Sequence, residues 1–391
     1  MISVADALDA LFALVDPLPT EWVPLRAANG RVLSQDVSAT RDQPPFAASA
    51  MDGYAVSGAS VTIGACYKVI GEAAAGHKWS GAVAAGEAVR IFTGAPLPDG
   101  TDHVVIQENI TRNGDVITIT EGPNDAPYVR PAGADFTADT VMKAPRLLTS
   151  TDVALLAAMN VATVPVTRRP SVAIIPTGDE LVQPGEIPNE DQIIASNSYG
   201  LAALLENAGC DVWLQPIARD NLPALALAFD MAADADLVVT IGGASVGDHD
   251  LVALAATEAG LERSFYKVAM RPGKPLMAGR LKSARLIGLP GNPVSAMVCG
   301  HVFLLPVVRK MLGLGQSPTL TTSAQLTHDI GPNGPREHYM RAHTSSEGLT
   351  IFPRQDSALL SVLADANCLA IRPPNDSARK AGETLKIIPL A

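Results

Sequence analysis

Between Pro170 and Gln316 the chain alternates strand-like and helix-like segments, and that regularity constrains the fold more than any other feature. SVAIIPTGDEL begins as an apolar strand and ends in a polar loop. SNSYGLAALLENAG has helical spacing, with a Ser or Asn placed to cap it and Gly209 placed to stop it. DVWLQPIA, DLVVTIGG, FYKVAM and LIGL are strand-like. LPALALAFDMAADA, the stretch after ASVGDHD, and NPVSAMVCGHVFLLPVVRKMLG are helix-like. Such alternation predicts a doubly wound, mostly parallel α/β sheet, whose ligands bind beyond the carboxyl ends of the strands.

The flanks follow other periods. Residues 2–15 predict an amphipathic helix with Ser3 as N-cap, ended by Pro17 and Pro19. A short helix or turn and a strand follow in RAANGRVLSQDVSAT. From Gln43 to about Tyr128, short alternating segments such as YKVIGEA, AVRIFTG and DVITIT are separated by Gly, Pro and Asp, the pattern of a small β-domain. Residues 129–168 hold a Gly/Pro-rich loop, the helix TSTDVALLAAMN and the strand VATVPVT. After Gln316 the helices are expected to stop, and 318–391 predict a second small β-domain. The fold class is multidomain α/β plus β.

A net charge of −11 argues against general binding to nucleic acid or to an anionic membrane. The four cysteines are far apart, with no zinc spacing, and are expected to be small buried thiols. The start lacks the basic region of a signal peptide, and no apolar run looks long enough to span a bilayer. A soluble, cytoplasmic protein is expected.

Four loops fall at the carboxyl ends of the sheet strands: Pro176–Leu181, Gly242–Asp250, Met270–Pro275 and Leu289–Ser295. In GGASVGDHD, Gly242, Gly243 and Gly247 let the backbone approach a ligand closely. Free N–H groups ahead of the next helix suit an anion. Asp248 and Asp250 supply hard oxygens suited to Mg²⁺ on a phosphate. A plain glycine turn with an N-cap aspartate fits the same residues, and His249 fits a solvated loop. In MRPGKP, Arg271 and Lys274 project from a stiffened loop, within a run from Arg263 to Arg285 that also holds Lys267 and contains no acid. A solvated basic face is the alternative. GLPGNPVSA places Pro293 at the first position of a helix and Ser295 in its first turn, a second anion site or a structural turn. Asp179 and Glu180 in PTGDELV are metal or ribose contacts if a phosphate lies nearby. SAMDGYAV, FTGAPLPDGTD and RPAGAD, outside the sheet, fit hairpin turns and stiff loops equally well.

Local chemistry thus gives an anion-binding site, with Mg²⁺ and a phosphate-bearing substrate, but not the reaction. GxxxxGK[ST], GxGxxG after the first strand, GxSxG and HExxH are all missing, which disfavours P-loop NTPases, Rossmann dehydrogenases, α/β-hydrolases and zinc proteases.

The motifs PPFAASAMDGYA, GEAAAG, RIFTGAPLPDGTDHVVIQE, YVRPAGADF, TGDELVQPGE, IIASNSYGL, GGASVGDHD, MRPGKP, GLPGNPVSA and DSALLSVLADAN occur in that order. Together they resemble the MoeA-type molybdopterin molybdenumtransferases, a family that includes the E-domain of gephyrin. The resemblance implies an elongated domain from 1–42 plus 129–168 and an inserted β-domain at 43–128. It further implies a molybdopterin-binding α/β domain at 169–316 and a C-terminal β-barrel at 317–391. It implies a homodimer with the site between subunits, and a reaction on adenylylated molybdopterin, molybdate and Mg²⁺ that releases AMP.

By match to the family's motifs, Asp52, Thr93, Asp135, Glu180, Asp250 and Lys274 are implied as catalytic. Asp179, Glu180, Asp248 and Asp250 are implied for the metal. Gly242, Gly243, Ser245, Gly247, Lys267, Arg271, Pro290, Gly291, Asn292, Pro293, Ser295 and Ser357 are implied for the substrate. Asp236 is a lower-ranked candidate. Arg271 stands where the family is expected to carry lysine, and Ala138 and Asn160 where it is expected to carry glycine. The competing readings are the preceding adenylylation step, whose enzymes are single-domain, and a non-catalytic dimeric scaffold.

Overall fold

The first helix is specified by its own first turn. In the computed structural model, which describes residues 1–122, 127–243 and 251–390, Ser3 caps Val4–Leu14 by accepting from the Asp6 N–H. Asp6 in return accepts from the Ser3 N–H, completing a capping box. The apolar face of this helix, with Leu8, Leu11 and Phe12, is buried in the core of the α/β layer.

The segments that follow form a four-stranded antiparallel sheet in the order Thr20–Pro24, Thr163–Thr167, Val32–Leu33, Arg146–Leu147. Helix Ser150–Ala158, capped by Thr149 and Asp152, packs beside it. Asn160 has φ +65°, a left-handed conformation that asparagine tolerates where glycine would be usual. Between these strands lies a six-stranded sheet ordered His103–Ile106, Gly53–Val56, Glu87–Ile91, Cys66–Ala73, Val116–Ile119, Ile110–Asn113.

The α/β sheet has the order Asp211–Leu214, Ser171–Pro176, Leu237–Ile241, Ala284–Leu289, Pro275–Leu281, Leu261–Lys267. The first four strands are parallel, and Pro275–Leu281 runs antiparallel to both its neighbours, Ala284–Leu289 and Leu261–Lys267. The central strand Leu237–Ile241 is buried throughout, as a strand covered on both faces must be. Strand Pro275–Leu281 was not expected: PLMAGRL runs straight on from the MRPGKP loop with no turn signal of its own.

Three local expectations are corrected. Helix Ser196–Asn207 has Ala195 as N-cap and no capping side chain, so Ser196 and Asn197 lie inside its first turn. The long helix from Pro293 is interrupted by a π turn at Gly300–Leu304 before continuing as Leu305–Met311. Over Pro293–Met311 it is long and apolar enough to cross a membrane by length and composition, contrary to the expectation that no such run exists, and 78% of that stretch is buried in the core.

The last sheet is ordered Met270–Arg271, Glu337–Ser345, Cys368–Arg372, Thr384–Pro389, Thr322–Gln325, with Gly348–Ile351 added on Glu337–Ser345. A bridge between Leu326 and Leu349 links its far strand back to Gly348–Ile351. One short helix, Leu360–Ala364, does follow Gln316. Cys210, Cys299 and Cys368 are buried free thiols as expected, whereas Cys66 is exposed.

Candidate active site

Three parallel strands of the α/β sheet end together. Thr177 N–H donates to Ile241 O at 2.9 Å, and Gly242 N–H donates to Leu289 O at 3.1 Å. Gly242 has φ +97°, and a Cβ there would meet Thr177 O at 2.6 Å, so only glycine lets these strand ends meet. Beyond them opens a cleft of about 540 Å³, lined by Thr177, Glu180, Asn197, Gly242, Pro290 to Pro293, and Ala358. The sheet thus brings Glu180, Gly242, Pro290, Gly291, Asn292 and Pro293 to one place. Gly243 adjoins them. Ser295 is buried in the helix that starts at Pro293. Ser357 reaches the same helix start: its Oγ accepts from Asn292 Nδ2 at 3.1 Å, and its carbonyl accepts from Val294 N–H at 3.0 Å. Ser245, Gly247, Asp248, His249 and Asp250 lie outside the described residues.

The cations come from a joint between two sheets. Met270–Arg271 pairs in parallel with Glu337 and His338 of the last sheet, and Pro275, next after Lys274, lines the cleft. Lys267 sits over the Tyr266 ring at 5.2 Å. The basic run is not one patch. Lys282 pairs with Asp230 at 3.5 Å, and Arg285 donates to the carbonyls of Leu14 and Ser283. The hairpin Pro275–Leu289 carries these two to the opposite edge of the sheet, leaving Lys267, Arg271 and Lys274 at the cleft end.

Sequence reasoning missed two residues. Arg341 is fully buried, with Nη2 donating to Asp356 O at 2.9 Å but, among the described residues, Nε and Nη1 without partners. Burial, then nearby Arg271, lowers its pKa to about 10, which leaves it cationic at neutral pH. Asp220 is brought to the acids of the first loop by Gly178 N–H donating to Ala218 O. Its N–H donates to Asp179 Oδ1 at 3.1 Å. Burial, then Asp179 and Glu180, push the Asp220 carboxyl up. These three carboxylates repel one another and so favour a cation, which fits a hard divalent ion. Among the described residues, however, no group of three or more His, Cys, Asp or Glu side chains is arranged to hold a metal by itself.

Asp236 is not at the cleft, which corrects its candidacy. It lies at the opposite, amino-terminal edge of the sheet, where its carboxylate accepts from Arg168 at 2.8 and 2.9 Å and from Ser171 N–H and Oγ. Asp52, Thr93 and Asp135 are in the amino-terminal half and line no part of the cleft. Asp52 Oδ1 accepts from Thr93 N–H at 2.8 Å and Thr93 Oγ1 at 2.7 Å, and these bonds hold its carboxyl below the usual range. Asp135 lines a separate open cavity of about 760 Å³ with Arg41, Gly94 and Arg130.

Three family models tile the chain. The MoeA N-terminal region (domain I and II) matches residues 2–160, a probable molybdopterin binding domain matches 173–310, and the MoeA C-terminal region (domain IV) matches 323–390. A molybdopterin molybdenumtransferase of Nostoc sp. is 36% identical, covering 100% of this chain and 94% of the relative. One of Haemophilus influenzae is 34% identical, covering 95% and 94%. The solved structure of a molybdopterin biosynthesis MoeA protein from Pyrococcus horikosii superposes with TM-score 0.85 at 28% identity, covering 100% of this chain and 99% of that one. With the motifs, the sheet ends and full-length matches all agreeing, the chain belongs to the molybdopterin molybdenumtransferase family.

Proposed function

We propose that this transferase of molybdenum cofactor biosynthesis takes molybdenum from molybdate into adenylylated molybdopterin and releases AMP. Insertion of molybdenum into molybdopterin follows from the family; the adenylylated substrate and molybdate are proposed on the residues of the site.

The observation that carries the reading is Arg341. A buried guanidinium with two unpartnered N–H-bearing nitrogens is costly unless a ligand completes it, and beside a second arginine that ligand is an anion. The segment Asp356–Ala358 connects it to the cleft: Asp356 O accepts from Arg341, Ser357 binds the PGNP loop and Ala358 lines the cavity. Arg341 and Arg271 are proposed to seat the oxyanion. Lys274, Lys267 and the N-terminus of helix Pro293–Cys299 would neutralise substrate phosphates. Water attacks the phosphoanhydride and frees AMP and the pterin phosphate, and molybdate binds the two dithiolene sulfurs as one of its oxo groups leaves as water with the two thiol protons.

Mg²⁺ would be held by Asp179 and Glu180 with Asp248 and Asp250, where it would polarise the bridging phosphoryl group. Asp52, kept ionised by Thr93, is suited to orienting water or a cation rather than to donating a proton. Its distance from the cleft is accounted for by a homodimer in which Asp52, Thr93 and Asp135 of one subunit complete the site of the other. The finer architecture belongs to the same reading: an elongated domain from 1–42 plus 129–168, an inserted β-domain at 43–128, the α/β domain at 169–316 and a C-terminal barrel at 317–391. The Leu326–Leu349 bridge supports closure of that barrel. The reading places the protein in the cytoplasm. Its test is AMP release from adenylylated molybdopterin with Mg²⁺, with and without molybdate. Release that needs molybdate is expected, and release indifferent to molybdate contradicts it.

A further inference from the structure

Helix Ser196–Asn207 begins at the wall between the cleft and a second cavity of about 310 Å³. Ser196 and Asn197 line both. The other walls of the second cavity include Met297 and His301 from the helix that starts at Pro293, Leu360 and Leu363 from the short helix, and Leu390. The π turn Gly300–Leu304 widens that long helix where His301 meets the cavity.

Among the described residues no acidic, lysine or arginine side chain lines this space, and burial keeps His301 neutral, with a pKa of about 4. A phosphate has no partner here, so charged parts of a ligand stay in the cleft. A flat, uncharged ring suits the apolar walls. At Gly200 a Cβ would come within 2.9 Å of Met297 Sδ, so glycine lets the thioether lie against the helix as a soft surface for an aromatic face.

The doorway residue is oriented. Asn197 Nδ2 donates to Gly291 O at 2.7 Å, which settles which end of the amide is nitrogen. Among the described residues Oδ1 takes only a long 3.4 Å contact from Ser196 Oγ, so it keeps capacity to accept. An acceptor at the entrance of an uncharged cavity selects a ring bearing an N–H edge.

Resting on the function proposed above, we propose that this cavity seats one of the two fused N-heterocycles of the substrate, pterin or adenine, with Asn197 Oδ1 accepting from an N–H on the ring edge. Asn197 is then a specificity-determining residue, and the cavity continues the cleft through it.

The test is calorimetric titration of the full-length protein with two separate probes, AMP and 6-hydroxymethylpterin phosphate. Wild type is compared with Asn197→Ala and with Ala364→Phe. Ala364 is exposed on the short helix and lines the cavity, so phenylalanine there obstructs the cavity and leaves the Asn197–Gly291 bond intact. Both variants are expected to bind one probe about tenfold more weakly, the scale of one lost hydrogen bond. Loss for the pterin alone identifies that ring, and loss for AMP alone identifies adenine. The chosen probe dimethylated on its exocyclic amine should bind wild type as weakly as the parent binds Asn197→Ala. Undiminished binding of both probes by both variants overturns the inference while leaving the proposed function standing. A wild type that binds neither probe overturns the proposed function as well.

Discussion

Asn292 and Ser357, 65 positions apart, join the PGNP loop to the carboxyl-terminal segment: Asn292 Nδ2 donates to Ser357 Oγ at 3.1 Å. The Ser357 carbonyl also takes the Val294 N–H, so the start of helix Pro293–Cys299 is held by a segment far along the chain. Ser357→Ala removes the side-chain bond and keeps the backbone one. Stability is expected to fall by about 0.5–1.5 kcal/mol, with KM for the adenylylated substrate raised more than kcat is lowered. Thermal unfolding and steady-state kinetics check both, and an unchanged KM would remove Ser357 from the site.

Arg341→Met should separate function from stability. The guanidinium is fully buried with two nitrogens unpartnered among the described residues, so an apolar side chain of similar length is expected to leave the unfolding midpoint unchanged or higher. Half-saturation for molybdate should rise at least about tenfold, the loss of one charge-assisted hydrogen bond. A collapsed fold with normal molybdate dependence would reverse the assignment.

The loop carrying Lys274 rests on a sulfur. A Cβ on Gly273 would come within 2.6 Å of Cys299 Sγ, and Gly273 has φ +105°. Gly273→Ala is expected to cost about 1–3 kcal/mol and to lower kcat/KM by displacing Lys274. Adding Cys299→Ala removes the clash but not the backbone strain, so it should recover part of both losses. A double-mutant cycle measures that coupling, and additive effects would contradict the contact.

Asp236→Ala should cost stability without touching kcat. Burial alone would raise its carboxyl, but Arg168 and Ser171 outweigh this and hold it below the usual range. A depressed carboxyl stabilises the fold above its unfolded pKa, and that contribution is lost as pH falls through the folded value. The substitution is expected to cost about 1.5–3 kcal/mol at neutral pH, with the difference from wild type shrinking below about pH 4. Denaturant titrations across pH read this directly.

Much of this architecture was legible because it is locally encoded. Ser3 and Asp6 announce the first helix, and the apolar run of Leu237–Ile241 announces a strand covered on both faces. Gly242 marks the cleft because the meeting of strand ends demands glycine there, and Pro290–Pro293 lines the same cleft. What stayed hidden depends on distant partners. Arg341 sits in the strand sequence EHYMRAHTS, where an arginine looks like a solvent-facing residue. It shares a strand face with Tyr339, which packs into the α/β core, and only that packing turns Arg341 inward. Asp220 has no local motif and reaches Asp179 through the pairing of Thr177 with Ala218. Asp236, a candidate only by match to the family's motifs, ranks low in the sequence because it precedes its strand, and its bonds to Arg168 and Ser171 place it at that far end.

Coupling of AMP release to molybdenum insertion is read from the molybdenum bound to product pterin per AMP released, with the purified protein, adenylylated molybdopterin, Mg²⁺ and molybdate. One molybdenum for each AMP is expected, with loss of both in Arg341→Met at limiting molybdate. AMP released in full while no molybdenum enters the pterin would contradict it.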